Sequence, residues 1–356
     1  MRVALVGPPL SGKTNLFAAV ALAGGSKVDV SRGDQPHLAV VKVPDERLEP
    51  LAKLYNPKKL TPAELEFLDL PGMDLSEEAT RARARAHWPA MRNSDGLVFV
   101  VRSFKSDLVP QYRDRINPAS DLEELKGEML FADLDQVMAR IEKLNASIKK
   151  PTAKKEEYAK ELELMQRLQG VLESDKPISG AIATQAEAKL TRSFSFLSEK
   201  PAVAVVNCDE DSLAGETAGT LAGFESITLS AKIEEELAQL APAERQEFLA
   251  GYGLTSTARD RLIRACYKKL NLVSFLTVGE DEVRAWTIPA GADAVTAASA
   301  IHSDIARGFI RAETVAYEDL RAAGDMKGVK AAGKVRLEGK TYIVKDGDII
   351  NFRFNV

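Results

Sequence analysis

Cysteine, histidine and aromatic residues are scarce in this chain, and each shortage narrows its chemistry. The two cysteines, Cys208 and Cys266, lie far apart in sequence, so neither a close-spaced metal pair nor a disulfide scaffold is available. Both read as reduced, buried thiols. The three histidines, His37, His87 and His302, are isolated, and each is expected to be structural or solvated. Trp88 and Trp286 read as packing anchors. No stretch approaches the roughly 20 apolar residues of a membrane helix. The apolar run in MRVALVGPP is far too short for a signal-peptide core. A soluble, cytoplasmic protein is expected. The net charge of -4 gives no overall attraction to nucleic acid, so any such contact needs a local basic patch.

What is present is ordinary globular material: 45% apolar and 28% charged residues exclude a disordered or fibrous protein. A chain of 356 residues predicts two or three domains. Short apolar, β-branched runs recur at 2–7, 37–44, 66–71, 95–103, 201–209 and 226–232. Runs such as VALVG, LVFVV and AVAVV mark strands buried in a mostly parallel sheet. Helical segments between them give an α/β architecture with crossover helices.

The gap between the fourth and fifth runs is too long for an ordinary connection. Within it Leu134, Val137, Ile141, Leu144 and Ile148 step by three and four residues, and Tyr158, Leu162, Met165, Leu168 and Leu172 repeat the spacing. KKPTAKKEE, a basic turn containing Pro151, separates them. Two readings are open: an antiparallel helical coiled-coil arm inserted into the sheet domain, or ordinary core-packing helices. The charged outer faces favour the arm. Its basic tip is the first candidate for contact with RNA or an acidic partner, a solvated loop being the alternative. After a helical stretch near 257–270, the segments VSFLTV, EVRAWTI, a helix at 292–305, KVRLEG, KTYIV and DIINFRFNV predict a small β-rich unit. The turns LEGK and KDGD flank its last short strands as hairpin logic requires.

Gly7-Pro8-Pro9-Leu10-Ser11-Gly12-Lys13-Thr14 matches G-x-x-x-x-G-K-[ST], directly after the first strand and before the apolar helical stretch that opens at Asn15. Glycines let successive N–H groups converge on phosphates, and the helix adds its positive N-terminus. Lys13 is expected to bridge the β- and γ-phosphates, and Thr14 to place its hydroxyl on Mg²⁺. Asp69-Leu70-Pro71-Gly72 stands where a switch GTPase carries D-x-x-G. Asp69 would hold Mg²⁺ through water and the Gly72 N–H would sense the γ-phosphate; alone, such a tetrapeptide is a turn. Asn207-Cys208-Asp209-Glu210 occupies the place of N-K-x-D, with no lysine and with Glu210 for the aspartate. Ser230-Ala231-Lys232 matches the S-A-K that supports the base. The order of the four elements carries the signal.

With these residues in hand, the chain resembles the YchF family of Obg-like ATPases over nearly its whole length. The resemblance includes Asn207 and Glu210 as N-x-x-E, FADLD at 131–135 and DRLIRACY at 260–267. It is strongest in GEDEVRAWTI (279–288), IHSDIARGFIRAE (301–313) and GDIINFRFNV (347–356). It implies a P-loop GTPase-like domain in two parts, 1–120 and 196–275, an inserted arm at 121–195, and a ubiquitin-like β-grasp TGS domain at 276–356. It further implies a ribosome-associated NTPase that often prefers ATP, with Mg²⁺ as cofactor, the arm tip and TGS domain as contact surfaces, and neither DNA nor membrane as partner. Physically, an aspartate accepts two hydrogen bonds from guanine N1 and N2; the longer Glu210 would leave that plane.

Three departures bear on catalysis. The family's first-switch threonine aligns near Gly33, with Ser31 as a substitute ligand. The segment MDLSEEATRARARAHW is a polar helix in place of a glycine-rich second switch. Gln111 stands where the family has a histidine after the fourth strand. Ras-like proteins orient the attacking water with a glutamine after D-x-x-G. Here that position is Met73, as apolar as in the family. Lys13, Gly72 and Gln111 are the catalytic candidates. Gly7, Leu10, Ser11, Gly12, Lys13, Thr14, Asn15, Asn207, Glu210, Ser230, Ala231 and Lys232 are the nucleotide contacts, and Thr14 and Asp69 the metal ligands. A slow ATPase switch regulating translation or stress is expected; the alternatives are a nucleotide-sensing adaptor with little hydrolysis and a true GTPase.

Overall fold

The computed structural model describes residues 1–23, 33, 35–151, 154–213, 218–251 and 253–355, so Ser31 lies outside the described residues. The chain opens with β1 (Arg2–Val6), α1 (Lys13–Ala23), β2 (His37–Lys42), α2 (Leu48–Tyr55), β3 (Lys59–Thr61) and β4 (Glu64–Asp69). Next come α3 (Glu78–Arg85), α4 (Trp88–Arg92), β5 (Gly96–Arg102), α5 (Pro118–Ile148), α6 (Lys155–Leu172) and α7 (Gln185–Thr191). Strands β6 (Ala202–Asn207), β7 (Ala218–Leu221) and β8 (Phe224–Leu229) lead to α8 (Ala231–Gln239), α9 (Pro242–Gly251) and α10 (Ala258–Lys269). The last elements are β9 (Leu272–Thr277), β10 (Glu282–Pro289), α11 (Ala294–Ile301), α12 (Ser303–Arg307), β11 (Phe309–Ala316), α13 (Tyr317–Ala323), α14 (Met326–Ala331), β12 (Arg336–Glu338) and β13 (Asp348–Phe354).

Two compact units emerge: 1–39 with 66–259, and 40–65 with 260–356. The sheet of the first has the order β2-β4-β1-β5-β6-β8-β7. Its pairs β1–β4, β1–β5, β5–β6 and β6–β8 are parallel, and the edge strand β7 is antiparallel to β8. Every residue of β5, GLVFVVR, is buried, as a central strand covered on both faces requires. The strand order reverses around β1, which opens a crevice beyond the carboxyl ends of the strands. The sequence placed the ends of the six main strands within three residues and missed the short β3 and β7.

Helix α5 starts at Asn117, whose side chain accepts from the Ser120 N–H, with Pro118 in its first turn. It then serves two cores. Leu122, Leu125, Met129 and Ala132 pack with Ala4, Val6, Phe99 and Val101 of the sheet. Leu130, Val137 and Leu144 instead join Leu164, Met165, Leu168 and Leu172 of α6. The segment expected as an arm, 121–195, therefore begins inside the core of the sheet.

In the second unit the sheet order is β12-β11-β13-β9-β10-β3. Its core joins Phe275, Ile288, Phe309 and Phe352 to the small face of α11, Ala294, Ala297 and Ala298. Three sequence expectations fail here. KTYIV forms no hairpin strand: it makes one bridge, Ile343 to Asp293, while the Tyr342 hydroxyl donates to the buried Asp348 at 2.8 Å. The Ala294 N–H donates to the Tyr342 carbonyl and the Val344 N–H to the Ala292 carbonyl, which holds this segment against the loop before α11, and β12 pairs with β11. Residues 40–65, expected within the P-loop domain, belong to this unit because β3 pairs with β10. The helix expected at 292–305 breaks at His302, whose Nδ1 accepts from the Asp304 N–H at 3.2 Å.

Candidate phosphate-binding site

Strand β1, buried from Val3 to Val6, delivers the chain into the loop Gly7–Thr14. Two positions in that loop admit only glycine. A Cβ on Gly7 would lie 2.2 Å from the Val100 carbonyl oxygen. At Gly12, where φ is +83°, it would lie 2.1 Å from Asn207 Nδ2. Leu10, exposed, also has a left-handed backbone, with φ 60°. At the start of α1 the first amides lack intrahelical acceptors and carry the positive end of the helix dipole. The Ser11 hydroxyl is buried in this loop without a hydrogen-bond partner among the described residues. Asn15 is exposed on the first turn of α1.

β4 brings Asp69 against this loop. Lys13 Nζ lies 2.5 Å from Asp69 Oδ1 and also donates to the Leu70 carbonyl. Thr14 Oγ1 donates to the other carboxylate oxygen at 2.9 Å. Lys13 and Asp69 are 5% and 2% exposed, so this pair is held in low dielectric. Burial pushes the Lys13 ammonium below its ordinary pKa, and the Asp69 charge and hydrogen bond oppose that shift. His37, at the start of β2, points Nδ1 at Asp69 Oδ2 from 3.7 Å. Burial lowers the His87 pKa, and the Lys13 charge adds to the effect.

The Asp69–Gly72 segment is latched to the loop. A Cβ on Gly72 would lie 2.9 Å from Pro9 Cα, and the Met73 N–H donates to the Gly7 carbonyl at 2.9 Å. Met73 is 2% exposed and belongs to the core. Beyond it, the Leu75 N–H donates to the Tyr112 hydroxyl at 3.0 Å, and its carbonyl accepts from Arg81 and Arg113. Gln111, in the same loop as Tyr112, is exposed and makes no side-chain hydrogen bond among the described residues. The structure brings the other candidates together and leaves Gln111 unconnected to them.

At the end of β6, Asn207 has a part that sequence reasoning missed. Its Nδ2 donates to the Ser11 carbonyl at 3.0 Å, and its Oδ1 accepts from the Ala231 N–H at 3.0 Å. Each polar end of the side chain thus makes one bond to protein backbone, and the amide keeps a second N–H. Its own carbonyl accepts from the Ser103 and Phe104 N–H groups. Asp209 accepts from the Lys105 N–H at 3.0 Å, which fixes the start of the loop after β5. Ser230 caps α8, its hydroxyl accepting from the Ile233 N–H at 3.5 Å. Glu210 and Lys232 meet each other, Oε1 to Nζ at 2.7 Å, on the exposed side of the site.

These residues fit a nucleotide with Mg²⁺. The unpartnered Ser11 hydroxyl and the glycine-only positions make a cradle that side chains would fill. Thr14 and Asp69 present hard oxygen donors side by side. Among the described residues no group of three or more His, Cys, Asp or Glu could hold a metal, so phosphate and water oxygens would complete the shell, as Mg²⁺ prefers.

The chain is similar to known proteins along nearly its whole length. The YchF-GTPase_C family model, described as a protein of unknown function (DUF933), matches residues 272–355. "Ribosome-binding ATPase YchF" of Bacillus subtilis (strain 168) is 39% identical over 99% of this chain and 98% of its own length. The protein of the same name from Escherichia coli O157:H7 is 35% identical over the same shares. Among solved structures, the Schizosaccharomyces pombe YchF GTPase superposes with a TM-score of 0.84 at 27% identity, covering 99% of this chain and 97% of that one. A GTP binding protein from Pyrococcus horikoshii OT3 shares the fold at a TM-score of 0.61 and 19% identity. With its phosphate loop, its N-x-x-E element and full-length likeness to these relatives, the chain belongs to the YchF family.

Proposed function

We propose that this chain is a nucleotide-dependent switch that binds ATP in preference to GTP with Mg²⁺, hydrolyses it slowly and acts at the ribosome. The observation that carries the reading is the convergence of Lys13 and Thr14 on Asp69 beside a glycine-only loop. Lys13 would pair with the β- and γ-phosphates, Thr14 and Asp69 would hold Mg²⁺, and the Gly72 N–H would sense the γ-phosphate. The metal would neutralise phosphate charge. The reaction and the partner are suggested by relatives named ribosome-binding ATPases.

The preference for ATP is supported by the base end of the site. A guanine-selective carboxylate must be free to accept two hydrogen bonds in the plane of the base; the Glu210 carboxylate already pairs with Lys232. The helical pair α5–α6 would be the arm and 276–356 the TGS domain, together forming the contact surfaces for ribosomal RNA or protein in the cytoplasm. Regulation of translation or of stress responses would follow from such contacts.

One observation favours a second reading, an adaptor that senses nucleotide with little hydrolysis. Met73 is buried where Ras-like proteins keep a water-orienting glutamine, and Gln111 is exposed with no side-chain hydrogen bond among the described residues. Single-turnover phosphate release with and without ribosomes separates the two: none under either condition favours the adaptor. The test of the site is calorimetric titration of Mg-ATP and Mg-GTP into nucleotide-free protein. Lys13→Ala is expected to abolish binding, and unchanged ATP affinity in that variant refutes the assignment. A large GTP preference overturns the reading of Glu210.

A further inference from the structure

The side chain of His37 is 9% exposed, yet its Nδ1 has no hydrogen-bond partner among the described residues. Burying an unpaired ring nitrogen is costly, so its place at the site calls for a physical account. Phe17 of α1 lies beside the imidazole, with ring centroids 6.3 Å apart and planes tilted by 35°. Nδ1 then points at Asp69 Oδ2 from 3.7 Å, just outside direct hydrogen-bond range.

Three polar side chains are seen at the Asp69 carboxylate among the described residues: Lys13, Thr14 and His37. The first two are the groups the site needs for phosphate and metal. Once Lys13 serves a phosphate, Asp69 loses the partner that now orients it. A carboxylate that ligates a metal requires an outer hydrogen bond to stay aligned. His37 is the group left to supply it.

We propose that His37 is a positioning residue of the metal side of this site, its Nδ1–H donating to Asp69 Oδ2 and holding that carboxylate in the orientation that receives Mg²⁺. The role rests on the Mg-nucleotide reading of the site. It also distinguishes His37 from His87, whose ring is not seen in contact with Asp69 among the described residues. The donor acts through Asp69 and touches neither phosphate nor base.

The experiment is calorimetry with a non-hydrolysable ATP analogue, run in saturating Mg²⁺ and again in EDTA, on wild type, His37→Phe and His37→Asn. Phenylalanine keeps the packing on Phe17 and removes the donor, while asparagine restores an N–H near the Nδ1 position. His37→Phe is expected to lose about tenfold in affinity with Mg²⁺, the scale of an outer-shell partner, and nothing in EDTA. His37→Asn should recover most of the loss. Three outcomes overturn the proposal: a Mg²⁺ gain in His37→Phe equal to wild type, equal losses with and without Mg²⁺, or no rescue by asparagine. Should His37→Phe lack a native unfolding transition, His37→Ala takes its place under the same criteria. A wild type that binds no better with Mg²⁺ than without it refutes the underlying site reading instead.

Discussion

Replacing Asn207 by alanine tests whether this residue holds the site together or serves the base. The substitution removes two buried hydrogen bonds, to the Ser11 carbonyl and from the Ala231 N–H. Each backbone partner left unsatisfied costs about 1–3 kcal/mol. Two such losses set the expected destabilisation of the sheet unit at about 2–4 kcal/mol, since some water will reach the vacated space. That is a large share of a typical domain stability of about 5–15 kcal/mol. Affinity for nucleotide should fall with it, because the phosphate loop loses its tie to β6. Asn207→Asp sharpens the test. It keeps an acceptor for Ala231 but sets a carboxylate oxygen against the Ser11 carbonyl, so it should be no milder than alanine.

The assay is urea unfolding followed by tryptophan fluorescence. The chain has two tryptophans, one in each compact unit, so a Trp286→Phe background leaves Trp88 to report the sheet unit alone. A stability change below about 0.5 kcal/mol, with nucleotide affinity reduced all the same, refutes the reasoning. Asn207 would then act mainly on the ligand.

Asp133→Ala should cost about 3–5 kcal/mol in the same assay, because it strips a fully buried carboxylate from Arg92 and from the Leu197 and Ser198 N–H groups, each at 2.8 Å. A cost under about 1 kcal/mol would contradict it. Complete burial pushes the Cys266 thiol up to about 12. Its contribution to stability is full below pH 9, where folded and unfolded thiols both keep the proton. It is lost as pH rises from 9 toward 12, where only the unfolded thiol ionises, at up to about 1.4 kcal/mol per pH unit. Unfolding free energies measured on either side of pH 9 should therefore fall less steeply in Cys266→Ala than in wild type; equal slopes would count against it.

Sequence was sufficient wherever the chemistry is met inside one loop. Gly7–Thr14 is legible because converging amides impose glycine at fixed places, and the clashes a Cβ would make at Gly7 and Gly12 are the structural form of that constraint. Buried central strands were equally plain, since a run such as GLVFVVR can satisfy nothing but a sheet covered on both faces. Pairings at long range left weaker marks. The three-residue β3 has too little pattern to register, and its partner β10 lies more than 200 residues away, so nothing local assigns residues 40–65 to the second unit. KTYIV alternates like a strand, but Tyr342 is claimed by Asp348 and the alternation goes unused.

Asn207 carries the same lesson into function. By motif it belongs with the base, and read alone it cannot disclose that its amide also donates to a carbonyl 196 residues earlier. Its second amide N–H is still available to a base, and in the proposed reading the Glu210–Lys232 pair supplies the remaining side chains at that end of the site. In the proposed reading, Glu210 must leave Lys232 before it can offer guanine a doubly accepting carboxylate, which an unpaired aspartate need not do. The weakened guanine preference proposed from the longer glutamate would then have a second cause, independent of side-chain length. Lys232→Ala separates them: freeing Glu210 should raise GTP affinity relative to ATP in competition binding. An unchanged ratio would leave side-chain length as the sole cause.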